Sequence, residues 1–231
     1  MNKIEEALSK LFSKYRIIFW YDEKKELLSG YFDDIITRDV VERYKIRQSD
    51  KVRQLAAYYL SNVCAPHSLN KLSVMLELSV DTIGRFSGYL EEANLLFSTR
   101  RFSFSLKEQI ANPKKVYAID NGLWQSVGFG FSQNLGKAME NAVAIELRRR
   151  GKEVYYWKEQ RTQREVDFVI KEGKQITEAI QVSYEGDLTR ESKALNAIEK
   201  ELSPKKITVI SWDEPKTAYN NVKLSDWLLG I

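Results

Sequence analysis

Residues 136–211 read GKAMENAVAIELRRRGKEVYYWKEQRTQREVDFVIKEGKQITEAIQVSYEGDLTRESKALNAIEKELSPKKITVIS. The apolar spacing alternates between a period near 3.6 and a period of 2, giving helix, strand, strand, strand, helix, strand. GKAMENAVAIELRRRG forms the first helix, with Glu140 near its start. EVYYW, REVDFVI and KQITEAIQVSY are the three strands, LTRESKALNAIEKEL the second helix, and KKITVIS the closing strand. Asp167 falls inside the second strand. A carboxylate taken out of water there is costly unless it is paired, so it is the first place to look for chemistry.

Outward from that stretch, the composition bounds the answer. The chain has 231 residues, 43% hydrophobic and 12% aromatic, enough for packed cores in one large domain or two small ones. The net charge of +4 is compatible with nucleic acid but too small to establish it. Cys64 is the single cysteine, so no intramolecular disulfide forms, and with no signal peptide visible a reducing cytoplasm is the simplest compartment. No apolar run reaches the length of a membrane span. His67 is the single histidine, which leaves little material for a Cys/His zinc site or a Ser–His–Asp triad. Following Pro66, it reads as a surface-loop residue between two helices. GFGFSQNLGK, residues 128–137, has glycines but neither the spacing nor the Ser/Thr of a phosphate-binding loop, so a Walker ATPase site is excluded.

Upstream, Ile4, Leu8, Leu11, Phe12 and Tyr15 have helical spacing, and IIFWYD then reads as a short buried strand. EKKELLSGYF resumes helix. FDDIITRDVVERYKIRQSD has an apolar side of Ile35, Ile36, Val40 and Val41, with Arg38, Arg43, Lys45 and Arg47 crowding one region. That basic region is either a solvated face or a docking segment. From Ser49 or Asp50, either of which can cap it, a helix runs over KVRQLAAYYLSNVC. SLNKLSVMLEL and DTIGRFSGYLEEAN, the latter capped by Ser79, complete a helix-turn-helix pattern. LLFSTRRFSFS and KKVYAID are then the two strands of a wing. If this part reads DNA, Thr82 and Arg85 lie at the start of the recognition helix and Arg100 and Arg101 in the wing. One arginine beside Asp81, Glu91 and Glu92 is a thin phosphate footprint. The segment DEPKTAYNNVKLSDWLLGI closes with a short amphipathic helix whose Trp227, Leu228 and Leu229 pack back on the sheet edge.

These landmarks occur in a fixed order: DIITRDVVERYKIR, TIGRFSGYLEEANLLF, KVYAIDNGL, GKAMENAVAIELRRRGKEVYYW and EVDFVI. Over residues 30–215 that order resembles the C-terminal domain of unknown function carried by many archaeal and bacterial AAA-type ATPases. The resemblance implies a winged helix followed by a PD-(D/E)xK, restriction-endonuclease-like αβββαβ domain with a central mixed sheet. The helix before FWYD resembles the start of the alkaline-phosphatase-like PglZ proteins of phage-defence islands, though no second set of Asp and His ligands follows to hold two metals. The expected layout is a helix–strand leader over residues 1–30, a helical linker and winged helix over 31–120, and the nuclease-like domain over 121–231. On this reading the chain is the C-terminal part of such an ATPase, its motor lost, split off or replaced by the leader.

The nuclease resemblance implies Mg²⁺ held by carboxylates, with a cation beside the attacking water. Asp167 matches the first acid and Glu140 the acid on the preceding helix. The Glu-x-Lys position reads Gln181-Val182-Ser183, which has neither the charge nor the ammonium. Lys193 on the next helix stands as a displaced cation, ahead of Lys174 in the hairpin. Glu178, three residues before Gln181, points to the opposite face of a regular strand and needs a bulge to be brought in. Glu165 shares the Asp167 face as partner or surface acid. Arg161 and Arg164, in the turn before Asp167, suit phosphate contact. Tyr155, Tyr156, Trp157 and Lys158 are either a stacking platform or core. Three functions follow: a nucleic-acid-associated accessory module with a degenerate site, a Mg²⁺-dependent nuclease using Glu140, Asp167, Gln181 and Lys193, or a protein-docking module for a separately encoded AAA-type ATPase. No membrane partner is expected.

Overall fold

The computed structural model describes residues 22–128, 134–159, 162, 164–184, 191–213 and 217–230. Most of the expected leader lies outside these residues. The described chain divides into two compact α/β units. One, the helical unit, comprises residues 22–98 and 113–128; the other, the sheet unit, comprises residues 99–112 and the chain from Asn134 onward.

In the helical unit, α1 (Asp22–Asp34) runs into a π-helical stretch (Ile35–Glu42). Leu28, Phe32, Ile36 and Val40 recur at four-residue steps and are buried, which is the apolar stripe an amphipathic helix needs. Arg38, Arg43, Lys45 and Arg47 are exposed. The helix α2 (Ser49–Ser61) buries Val52, Leu55, Ala56, Tyr59 and Leu60. Neither Ser49 nor Asp50 caps it: Gln48 stands at the cap position without a side-chain bond, and both expected caps lie within the first turn. There Asp50 complements the helix dipole instead.

The segment after α2 differs from expectation. Pro66 lies within a strand, β1 (Ala65–His67), which pairs antiparallel with β3 (Lys114–Ala118). An end-of-order strand tolerates a residue without an N–H. His67 is buried rather than on a surface loop. Its ring sits edge-on to Tyr58 and Tyr59, at 5.5 and 5.1 Å, and Nε2 is 3.0 Å from the Asn62 carbonyl. The helices α3 (Leu69–Leu76) and α4 (Val80–Glu92) follow. Ser79 caps α4 as expected, accepting from the Thr82 amide at 3.1 Å. The strand β2 (Leu96–Arg101) ends before FSFS, and a short helix, α5 (Leu106–Ala111), occupies the segment between β2 and β3. A further helix, α6 (Asn121–Val127), is capped by Asp120, which accepts from the Leu123 amide at 2.8 Å.

The sheet unit contains α7 (Leu135–Arg149), β4 (Glu153–Lys158), β5 (Glu165–Glu172), β6 (Gln175–Ser183), α8 (Glu191–Leu202), β7 (Lys206–Ser211), β8 (Asn220–Lys223) and α9 (Leu224–Leu229). The helix–strand–strand–strand–helix–strand order read from residues 136–211 is present. Its strands run in the order β2-β4-β5-β6-β7-β8. The sheet is mixed: β4–β5 and β5–β6 are antiparallel, while β2–β4, β6–β7 and β7–β8 are parallel. From α8, Ala194, Leu195, Ile198 and Leu202 pack against Val166, Val169, Ala179, Ile207 and Val209. Each large aliphatic side chain so buried contributes about 1.5–3 kcal/mol. In α9, Trp227 and Leu228 are buried as expected, and the Arg150 guanidinium lies 4.2 Å from the Trp227 ring centroid while donating to its carbonyl at 2.7 Å. No helix among the described residues is long and apolar enough to cross a membrane.

Candidate functional site

The two strands that carry the expected site residues depart from a regular ladder where those residues sit. Tyr155 pairs with Val169 but Trp157 pairs with Val166, so three steps of β5 answer two steps of β4. The extra residue falls at Asp167–Phe168, a β-bulge. On the other side, β5 and β6 pair from Phe168↔Ile180 onward, and their ladder stops at Asp167. The Asp167 carboxylate takes the vacated place. Its Oδ2 accepts from the Val182 amide at 3.0 Å and from Gln181 Nε2 at 2.8 Å.

Asp167 and Gln181 are both more than nine-tenths buried. A buried carboxylate is tolerable because charge-assisted donors replace its water. Gln181 Oε1 is buried and has no hydrogen-bond partner. The amide therefore faces the acid with its donor end and leaves its acceptor end unused.

The remaining predicted residues fall in different settings. Glu140 is half-buried on α7, a helix that packs on β4 and β6. Glu165 lies 3.9 Å from Lys158 across the β4–β5 ladder. A bulge exists in β6, since Ile170 pairs with Glu178 and Lys171 with Ile176, but it precedes Glu178. From Glu178 to Ser183 the β6–β7 register is unbroken, so Glu178 and Gln181 project to opposite faces. Glu178 accepts from the Thr208 hydroxyl and lies 3.5 Å from Lys206. Lys193 is exposed on α8, on the side away from the buried Ala194, Leu195 and Ile198. Lys174 is exposed in the β5–β6 turn.

Of the basic residues, Arg100 and Arg164 are exposed, and Arg164 lies 3.4 Å from Glu159. The half-buried Arg101 donates from its guanidinium to the Lys158 carbonyl at 2.5 Å and to Asn112 at 3.2 Å. Arg161 lies outside the described residues. At the start of α4, Arg85 is 3.4 Å from Asp81, and Thr82 Oγ1 is 2.8 Å from the capping Ser79 hydroxyl. Tyr156 and Trp157 are core residues, each 1% exposed. Tyr155 stacks edge-on with Phe102, and its hydroxyl donates to Glu153 at 2.6 Å; burial and that bond push its pKa up to about 12.

The Val182 amide was not foreseen as part of the site, because a backbone donor leaves no mark in sequence. Toward a metal, Asp167 Oδ2 accepts two hydrogen bonds and Gln181 offers one neutral oxygen, and no group of three or more His, Cys, Asp or Glu suited to a metal occurs among the described residues.

Two family models match the sequence, both described as domains of unknown function: DUF8612 over residues 18–134 and DUF4143 over residues 135–226. An uncharacterized protein of Methanocaldococcus jannaschii is 34% identical over 194 residues, which are 80% of this chain and 42% of that protein. An uncharacterized protein of Haemophilus influenzae is 27% identical over 239 residues, covering 96% of this chain and 58% of that protein. The chain thus spans about half the length of the curated relatives it matches. No solved structure matches it.

Proposed function

We propose that this chain, which belongs to the DUF8612 family, is a nucleic-acid-associated accessory module that works beside an AAA-type ATPase and whose nuclease-like domain does not cut. One observation carries the reading. Where a metal-binding carboxylate would face Asp167, the Gln181 amide donates to it at 2.8 Å. An N–H₂ aimed at the acid does what a bound cation would otherwise do, and it holds the pocket closed without one. The order α7-β4-β5-β6-α8-β7 and the mixed sheet support a PD-(D/E)xK-like ancestry. In the helical unit, the sequence α2-β1-α3-α4-β2-β3 supports a winged helix, with α5 inserted before its last strand.

Binding to nucleic acid is weak and electrostatic on this reading. Arg85 and Arg164 each have a carboxylate at 3.4 Å, and Arg100 is the exposed candidate arginine with no ion pair among the described residues. The test is a pair of assays on the purified chain. Anisotropy with a labelled duplex at low salt reads binding, and incubation of plasmid and single strands with Mg²⁺ or Mn²⁺ reads cutting. The expected result is salt-dependent binding without metal, unchanged in Asp167→Asn, and intact substrate. Metal-dependent cutting that Asp167→Asn abolishes would establish a working nuclease instead. Absence of binding at low salt would leave the protein-docking role, read by co-purification with a co-expressed AAA-type ATPase.

A further inference from the structure

We propose that the cavity beside the β2–α5 turn docks a segment of a partner protein that presents a large apolar side chain next to a lysine or arginine. The inference is independent of whether the chain binds DNA. The cavity lies wholly within the sheet unit and has a volume of about 550 Å³.

Its mouth carries one open aromatic group: Phe104 lines it and is 83% exposed. The exposed Leu106 and Ile110 of α5 lie outside the lining, which takes Ser105, Glu108 and Asn112 from the other side of that helix. Phe104 is also held in place: its ring meets that of the buried Phe102 edge-on at 5.2 Å. A preset aromatic anchor loses little freedom on binding.

The wall is acidic. Glu108, Glu159 and Glu201 line it, and each engages one carboxylate oxygen in the fold. Glu108 accepts from Ser103 at 2.7 Å, Glu201 from the Trp157 indole at 3.2 Å, and Glu159 faces Arg164 at 3.4 Å. The second oxygen of each has no hydrogen-bond partner among the described residues. Of the two cations in the wall, Arg101 donates to the neutral Lys158 carbonyl and Asn112, and Lys158 lies 3.9 Å from Glu165. Three glutamates against these two cations leave the lining one unit negative, so its complement is a cation carried on an apolar segment.

The experiment uses fluorescein-labelled peptides with a Leu or Trp beside a Lys-Arg pair, their Glu-Glu counterparts, and a labelled oligothymidine, each titrated with the whole chain. The basic peptides should bind at least about tenfold tighter than the acidic ones. Phe104→Ser should weaken peptide binding by about tenfold, the size of an interface anchor, and Ile110→Ser, outside the lining, should not. The double change Glu159→Gln and Glu201→Gln should weaken it several-fold and flatten its salt dependence. Both apolar positions are exposed, so the two serine variants should melt like the wild type and bind oligothymidine as it does. Equal binding of basic and acidic peptides, no peptide binding at all, or a Phe104→Ser variant that binds the peptide as the wild type does would each overturn the proposal.

Discussion

Asp167 holds its charge away from water by leaning on two donors of β6, and that dependence sets what its replacement costs. Asp167→Ala leaves the Val182 amide and the Gln181 amide group without their acceptor. A loss of about 1–3 kcal/mol in a urea unfolding curve is expected, with Asp167→Asn milder because its Oδ1 still accepts from Val182. Gln181→Glu sets two carboxylates against each other and raises their pKa values. A raised carboxylate pKa gives stability that is present at acid pH and lost as pH rises, so this variant should fall behind the wild type progressively on going from acid to neutral pH. Mn²⁺ should raise its melting temperature and leave that of the wild type unchanged. Tyr59 gives the opposite end of the scale. Burial drives its pKa from 10.0 up to about 12, against the opposing pull of its 2.8 Å bond to Ser87. Because the folded value lies above the unfolded one, the associated stability is complete below pH 10 and drains away toward pH 12, by about 2–3 kcal/mol. Denaturant melts at stepped alkaline pH should show that decline in the wild type and not in Tyr59→Phe. In sequence, Asp167 stood out because an acid inside an apolar strand demands a reason. That Gln181 would serve it as a donor did not, since an amide offers both ends and only the fold chooses between them.

At the scale of elements, caps and close approaches are the sensitive points. Ser79→Ala removes the acceptor for the Thr82 amide and should cost about 1 kcal/mol, read as a lowered urea midpoint with the same slope. At Gly128 an added Cβ would lie 2.8 Å from the Trp124 carbonyl oxygen and 3.3 Å from that of Leu60, so Gly128→Ala forces backbone to move and should destabilise more than the cap variant. The elements themselves were largely readable, because α2, α4, α7 and α8 each keep an apolar stripe and β5 and β6 are dense in strand-forming residues. The failures have a common cause. β8 reads Asn-Asn-Val-Lys and α5 exposes its apolar residues, so neither shows a buried side to the eye. His67 is buried by two tyrosines that precede it on another element, and Pro66 enters a strand because that strand lies at the end of the order. Such placements are decided by tertiary neighbours, which local periodicity does not record.

For the molecule as a whole, a net charge of +4 and three exposed candidate arginines among the described residues, Arg85, Arg100 and Arg164, imply a shallow response to salt. Two or three phosphate contacts give a log–log slope of about −2 to −3, and Arg100→Ala or Arg164→Ala should each lessen it by about one. A steeper slope would mean a larger basic surface than these residues provide. The kink at Asp167–Phe168 also bears on how β5 keeps its place. Val166 and Val169 reach the same oily layer under α8 although they stand three apart, an odd interval that simple alternation forbids. Sliding the strand by one position would turn one of them outward and strand the carboxylate in grease. The single surplus peptide unit therefore works as a notch, locking the strand to one alignment, and excising it should yield a chain that pairs in more than one way.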